Sequence, residues 1–144
     1  MIMKKELSLR LSELKEGINL PIIKRLVTQE KINLYAEASR DFNPIHIDEK
    51  FARKTSLGGT IAHGMLILAY VAEMMGTAFG SSWLVGSKLN VRFKNPVRPG
   101  DIITVSGHIS HLNKDAGRTS IHCDILCQNQ NDEPIITGET SLRV

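Results

Sequence analysis

A chain of 144 residues, 42% hydrophobic and 23% charged, has the length and make-up of one globular domain, and residues 1–144 read as that single domain. Its formal charge of +3 and pI near 9.0 are not gathered into the dense basic block of a nucleic-acid binder, but they suit an anionic small molecule or an acidic carrier protein. Two cysteines are too few for a disulfide scaffold, the first seventeen residues hold no apolar leader segment, and the longest apolar run, 65–72, is too short to cross a bilayer; the expectation is a reduced, cytoplasmic protein with no nucleic acid or membrane among its partners.

Residues 17–28 are strand-like. Thr28 is placed to cap a helix over 28–39, with Glu30 in the first turn and Ile32, Tyr35 and Ala36 at helical spacing. The helix should end before Asp41, because the residue preceding Pro44 is driven away from helical angles. Residues 40–46, Arg-Asp-Phe-Asn-Pro-Ile-His, then read as a loop whose polar side chains lie on no helix. Asp48 suits the cap of a short helical turn, and residues 56–60 form a Gly-rich loop. The clearest helix runs over 62–78; it is apolar on nearly all sides, which predicts burial.

Beyond Gly80 the hydrophobic period changes to two. Leu89, Val91 and Phe93 share one face, with Lys88, Asn90, Arg92 and Lys94 on the other. Ile103, Val105 and Ile109 continue the alternation, as do Ile121, Cys123, Ile125 and Cys127, and a last strand covers 134–144. Residues 113–118 and 129–134 read as hairpin turns. The second half is therefore an antiparallel meander, and the class is α+β, one central helix packed on a curved antiparallel sheet. Both thiols read as small core residues, and no further ligands stand at metal-site spacing around them.

The chemistry-bearing stretch is 39–52, where Asp41, Asn43 and His46 fall within six residues. Turns commonly hold Asp, Asn and Pro for local backbone bonds alone. A histidine five residues after the Asp adds a second proton-handling group, and such a pair can take one proton and deliver another. Asn43 can hold one of the two in place. Downstream, the helix opening at His63-Gly64 directs free N–H groups and a partial positive charge at whatever precedes it. With no side chain, Gly64 lets a ligand oxygen approach its N–H, as an oxyanion hole requires.

The run 35–52 followed by Ile-Ala-His-Gly-Met-Leu at 61–66 resembles the MaoC-like hydratases and dehydratases, the (R)-specific enoyl-CoA hydratases and their acyl-carrier-protein relatives. The residues that carry the resemblance are Tyr35, Ser39, Asp41, Asn43, Pro44, Ile45, His46 and Ala52, with 90–101 similar to a strand and turn of that family. Arg40 departs from the pattern, since many members have Gly there. The resemblance implies a hot-dog fold, a long central helix wrapped by a curved antiparallel sheet. It implies Asp41 and His46 as a catalytic dyad for reversible hydration of a 2,3-enoyl thioester, with Gly64 polarising the carbonyl. Asn43 and His63 would position, and Arg40 would stand at the site mouth. It requires no metal and no cofactor, and it makes an acyl-CoA or acyl-carrier-protein thioester the partner and a homodimer the expected assembly. Which of Asp41 and His46 activates water stays open.

Lys88, Arg92, Lys94 and Arg98 are expected either to form a solvated strand face or to meet the phosphates of a thioester carrier. Two other readings compete. A hot-dog thioesterase would place a carboxylate on or near the central helix, where only Glu73 is available. A heteromeric dehydratase would use this chain as its catalytic subunit.

Overall fold

The computed structural model describes residues 9–144; the first eight, which open the stretch read as free of a leader segment, lie outside the described residues. In chain order the elements are β1 (Ile23–Leu26), α1 (Gln29–Ser39), α2 (Pro44–Ile47), α3 (Glu49–Arg53), α4 (Gly64–Phe79), β2 (Lys88–Phe93), β3 (Ile102–Asp115), β4 (Arg118–Gln128) and β5 (Pro134–Arg143). Short 3-10 turns cover Leu11–Glu13 and Gly80–Leu84. All strand pairs are antiparallel, in the order β1-β3-β4-β5-β2.

Period-two hydrophobicity becomes the inner face of this sheet. Ile103, Val105 and Ile109 on β3, Ile121, Cys123, Ile125 and Cys127 on β4, and Ile136 and Leu142 on β5 are buried. They meet Ile67, Val71, Met74, Met75, Ala78 and Phe79 of α4, which recur at helical spacing. The two thiols are free and sealed in this layer, and burial pushes Cys123 up to about 11 and Cys127 to about 12.

Three expectations need correction. The last four strands are not a simple meander, because β2 crosses to the far side of β5 and forms an edge. Alternation sets the face of a strand and not its neighbour. Residues 94–101, with Pro96 and Pro99, make a long connection where a meander needs a tight turn. Second, α4 is not covered all round: Met65 is 58% exposed, and Ala69 and Ala72 on the same side are open. Third, His46 does not sit on a loop but on α2, a four-residue helical turn. Asn43 caps it and Pro44 occupies its first turn, where a missing N–H costs nothing.

The helix caps follow the sequence. The Thr28 hydroxyl accepts from Lys31 N–H, and the Asp48 carboxylate accepts from Phe51 N–H. Helix α1 ends at Arg40, whose φ of 62° is left-handed.

Candidate active site

Each member of the 35–46 motif is tied to its neighbour by one bond. The Ser39 hydroxyl donates to the Tyr35 carbonyl at 2.7 Å and accepts from Asp41 N–H at 3.3 Å, which carries the chain out of α1. One carboxylate oxygen of Asp41 accepts from Asn43 N–H, and the Asn43 side chain accepts from Ile45 N–H, both at 3.2 Å. These Asx bonds start α2 and thereby aim His46. Ala52, the last residue of the motif, is fully buried under the turn.

His46 is held from the other side by the segment leading into α4. Its Nδ1 donates to the Ile61 carbonyl at 2.8 Å, and Ile61 N–H donates to the Ile45 carbonyl. A carbonyl only accepts, so Nδ1 carries the hydrogen and the neutral ring presents the lone pair of Nε2. That atom lies 4.0 Å from Oδ2 of Asp41. The separation is too long for a direct hydrogen bond, but one water at roughly 2.8 Å from each atom spans it with a bond angle near a right angle. His46 is buried and the Asp41 side chain is 53% exposed, so the pair has a wet side and a dry side.

His63 locks this geometry. Its Nε2 donates to the Asp41 carbonyl at 3.0 Å. Its ring stacks on His46 at 3.9 Å between centroids and is tilted against Tyr35 at 4.9 Å. His63 Nδ1 is buried with no partner among the described residues. Asp41, His46 and His63 place ligand-type atoms within 4.8 Å of one another. The imidazole planes lie only 28° apart in the stack, so their in-plane lone pairs run side by side and do not converge on one ion. His46 Nδ1 and His63 Nε2 are also already committed to carbonyls.

Gly64 follows directly as the first residue of α4, and no side chain caps that N-terminus. Glycine also suits the packing here: an added Cβ would stand 2.9 Å from Cε1 of Phe93, so the ring would have to shift. A cavity of about 290 Å³ opens beside it, lined by Gly64, Ile67, Phe93, Val97 and Ile135 among others.

Other residues singled out in the sequence lie elsewhere. Arg40 holds the left-handed position between α1 and Asp41, exposed beside Leu34, Glu37 and Phe42. Arg92 pairs with Thr137 on the outer face of the sheet, opposite to Phe93 and Gly64, so it does not reach the dyad. Arg98 is spent on the loop before α4, donating to the Leu57 carbonyl.

One positioning residue had no sequence signal. Gln29, in the first turn of α1, donates to the His46 carbonyl at 2.8 Å and accepts from the Thr60 hydroxyl at 2.7 Å. It joins α1, α2 and the loop before α4 across long sequence separations, where no periodicity could have pointed to it.

Comparison with known proteins adds four findings. A family model described as "MaoC like domain" matches residues 17–129. The chain is 31% identical over 123 residues to a 3-hydroxybutyryl-CoA dehydratase of Methylorubrum extorquens, covering 85% of this chain and 76% of that one. It is 32% identical over 100 residues to an (R)-specific enoyl-CoA hydratase of Rhodospirillum rubrum, covering 69% of each. Among solved structures, the (R)-hydratase from A. caviae superposes with a TM-score of 0.77 at 26% identity, covering 90% of this chain and 96% of that one.

Proposed function

The chain belongs to the MaoC-like domain family, and from that premise we propose that it is a hydro-lyase acting reversibly on a trans-2-enoyl thioester to give the (3R)-hydroxyacyl thioester. The carrier is coenzyme A or an acyl carrier protein. The observation that supports this most directly is the 4.0 Å gap between Asp41 Oδ2 and His46 Nε2, with His63 stacked on His46 and followed directly by the uncapped start of α4.

In the hydration direction, water sits in that gap. His46 Nε2 takes a proton from it, while the Asp41 carboxylate accepts its second hydrogen and stabilises the imidazolium that forms. The hydroxide adds to C3, and the electron pair of the double bond moves through C2 to the thioester oxygen. Gly64 N–H and the helix dipole stabilise that oxyanion. The enolate collapses by taking the proton back from His46 at C2, on the face that received the hydroxyl, which makes the addition syn. Dehydration is the same path reversed. The cavity beside Gly64 takes the acyl chain.

The active form is a homodimer in this reading. Met65 on the open side of α4 and Leu89 and Phe93 on β2, at 37% and 53% exposure, are large apolar side chains left in the open, and β2 is a free sheet edge. Free edges of this kind are normally covered. Hydrolysis has less support, because Glu73 lies nine residues along α4 from Gly64 and is ion-paired with Arg25 on β1.

The test is to follow the enoyl-thioester absorbance with purified protein and crotonyl-CoA. Loss of absorbance with (3R)-hydroxybutyryl-CoA as product and no free thiol is the expected result. Release of free CoA would overturn the reading in favour of a thioesterase.

A further inference from the structure

A cationic groove lies away from the dyad. It measures about 780 Å³ and runs over the outer face of the sheet, walled on one side by the turn after α4. Strand register builds its floor. Lys88, Ser141 and His122 form one cross-strand row, and Ser120 and Arg143 the next, with Arg118 at the start of β4. Ile121 and Leu142 alternate with these residues and face the core, which places the polar set on the outer side.

Three permanent cations therefore converge on one groove that has no acidic lining residue. This equals the whole formal excess of +3 that the chain carries. None of Lys88, Arg118 and Arg143 has a carboxylate within 4.0 Å among the described residues. Asp115 stands opposite Arg118 in the hairpin register without closing an ion pair, and Asp124 turns to His108 instead, at 3.5 Å. Three cations outside the groove are engaged, Arg25 by Glu73, Arg53 by Glu49 and Arg98 by a backbone carbonyl, so what marks the groove is three cations on one lining and not the lack of partners alone. Lys88 and Arg143, and Arg143 and Arg118, are diagonal neighbours across the strands, within reach of one another's long side chains, while the nearest carboxylates of the adjoining row, Glu139 and Asp124, lie outside the groove lining.

We propose that this groove is a binding site for a ligand of nucleotide size bearing two or more phosphate groups. Two guanidinium forks and an ammonium give bidentate and point-charge contacts to phosphate oxygens, and the serine hydroxyls add neutral donors. The volume falls within the range of small-molecule sites and far exceeds the needs of one carboxylate or one inorganic ion. The inference is independent of the proposed hydration chemistry. The sheet separates this groove from Gly64, which lies on the inner side against Phe93, so a ligand here does not touch the dyad of the same protomer.

Calorimetric titration of the full chain with ADP, and separately with pyrophosphate, tests this at low and at physiological salt. Saturable binding that weakens with salt is expected, and the double substitution Arg118→Gln/Arg143→Gln should weaken it about tenfold or more, the usual weight of charge-assisted bonds. No binding at millimolar ligand would overturn the proposal, as would binding unchanged by the double substitution. A second arm separates the sources of the phosphates. If they belong to a thioester seated in the site of a second copy, the double variant raises KM for an enoyl-CoA and not for the same acyl group on bare pantetheine. If the ligand is a free nucleotide, neither KM changes while ADP binding is still lost.

Discussion

Gly64→Ala probes the reaction centre with one added methyl. The ideal Cβ position is 2.9 Å from Cε1 of Phe93, 3.2 Å from Cδ1 and 3.5 Å from Cζ, whereas ordinary contact begins at 3.4 Å. The ring must retreat by about 0.5 Å, the difference between 3.4 and 2.9 Å. Phe93 is 53% exposed in the single protomer, so its ring has room to swing there. Overpacking costs about 1–3 kcal/mol in a tight core and less here, and at the first residue of α4 Ala recovers only part of the roughly 1 kcal/mol of propensity it gains over Gly in a helix interior. Stability should therefore change by no more than about 1 kcal/mol, read as a small shift in Tm. Turnover should fall much further, by about 10²–10³-fold, because the methyl obstructs the approach of the thioester oxygen to the N–H. The control is Gly64→Ala with Phe93→Ala, which removes the clash and keeps the methyl. Steady-state kcat on crotonyl-CoA decides. Near-wild-type kcat in the single variant would refute the oxyanion role, and full recovery in the double variant would reduce Gly64 to a packing requirement.

Asp41→Asn and His46→Gln should each lower kcat by roughly 10²–10⁴-fold with the fold intact, the usual weight of general acid–base catalysis; normal turnover in either folded variant removes that residue from the dyad. Arg40→Gly should raise thermal stability by about 0.5–1 kcal/mol and leave kcat unchanged, because a side chain at φ 62° is strained and the residue touches neither Asp41 nor His46 through its side chain; a fall in Tm would show that the guanidinium supports the turn. Cys123 and Cys127 should stay unmodified by a thiol reagent at pH about 8 until the protein unfolds, since burial keeps both thiols protonated well above that pH; rapid labelling of native protein would show that the sheet and α4 part readily.

The motif at 35–46 was legible because its bonds are local. Ser39, Asp41 and Asn43 each act on backbone within four residues, which sequence spacing conveys directly. The same stretch also carried the signal for α2, a capping Asn followed by Pro in the first turn, but the turn preference of Asn-Pro outweighed it. Strand faces were legible from period two, and by that parity Arg92 already stood opposite Phe93. Strand order was not, because the partner of β2 depends on where a long connection returns. Nor was Gln29, whose bonds to His46 and Thr60 span 17 and 31 residues.

The bonding pattern explains why this site is preorganised. The segment from Ser39 to Gly64 holds its site residues by bonds within itself: Asn43 N–H donates to one oxygen of Asp41, His46 donates Nδ1–H to the Ile61 carbonyl, and His63 donates Nε2–H to the Asp41 carbonyl. Three valences then point outward without a partner of their own kind, Asp41 Oδ2, His46 Nε2 and the N–H at the start of α4. In the proposed reaction the first two meet water and the third meets the carbonyl of a thioester. Because the first two are fixed by bonds that persist without substrate, little reorganisation is left for the reaction itself. The stacked His63 is the joint of this device: it touches both members of the dyad and is covalently next to Gly64. A displacement of its ring would disturb base, orienting carboxylate and oxyanion donor together.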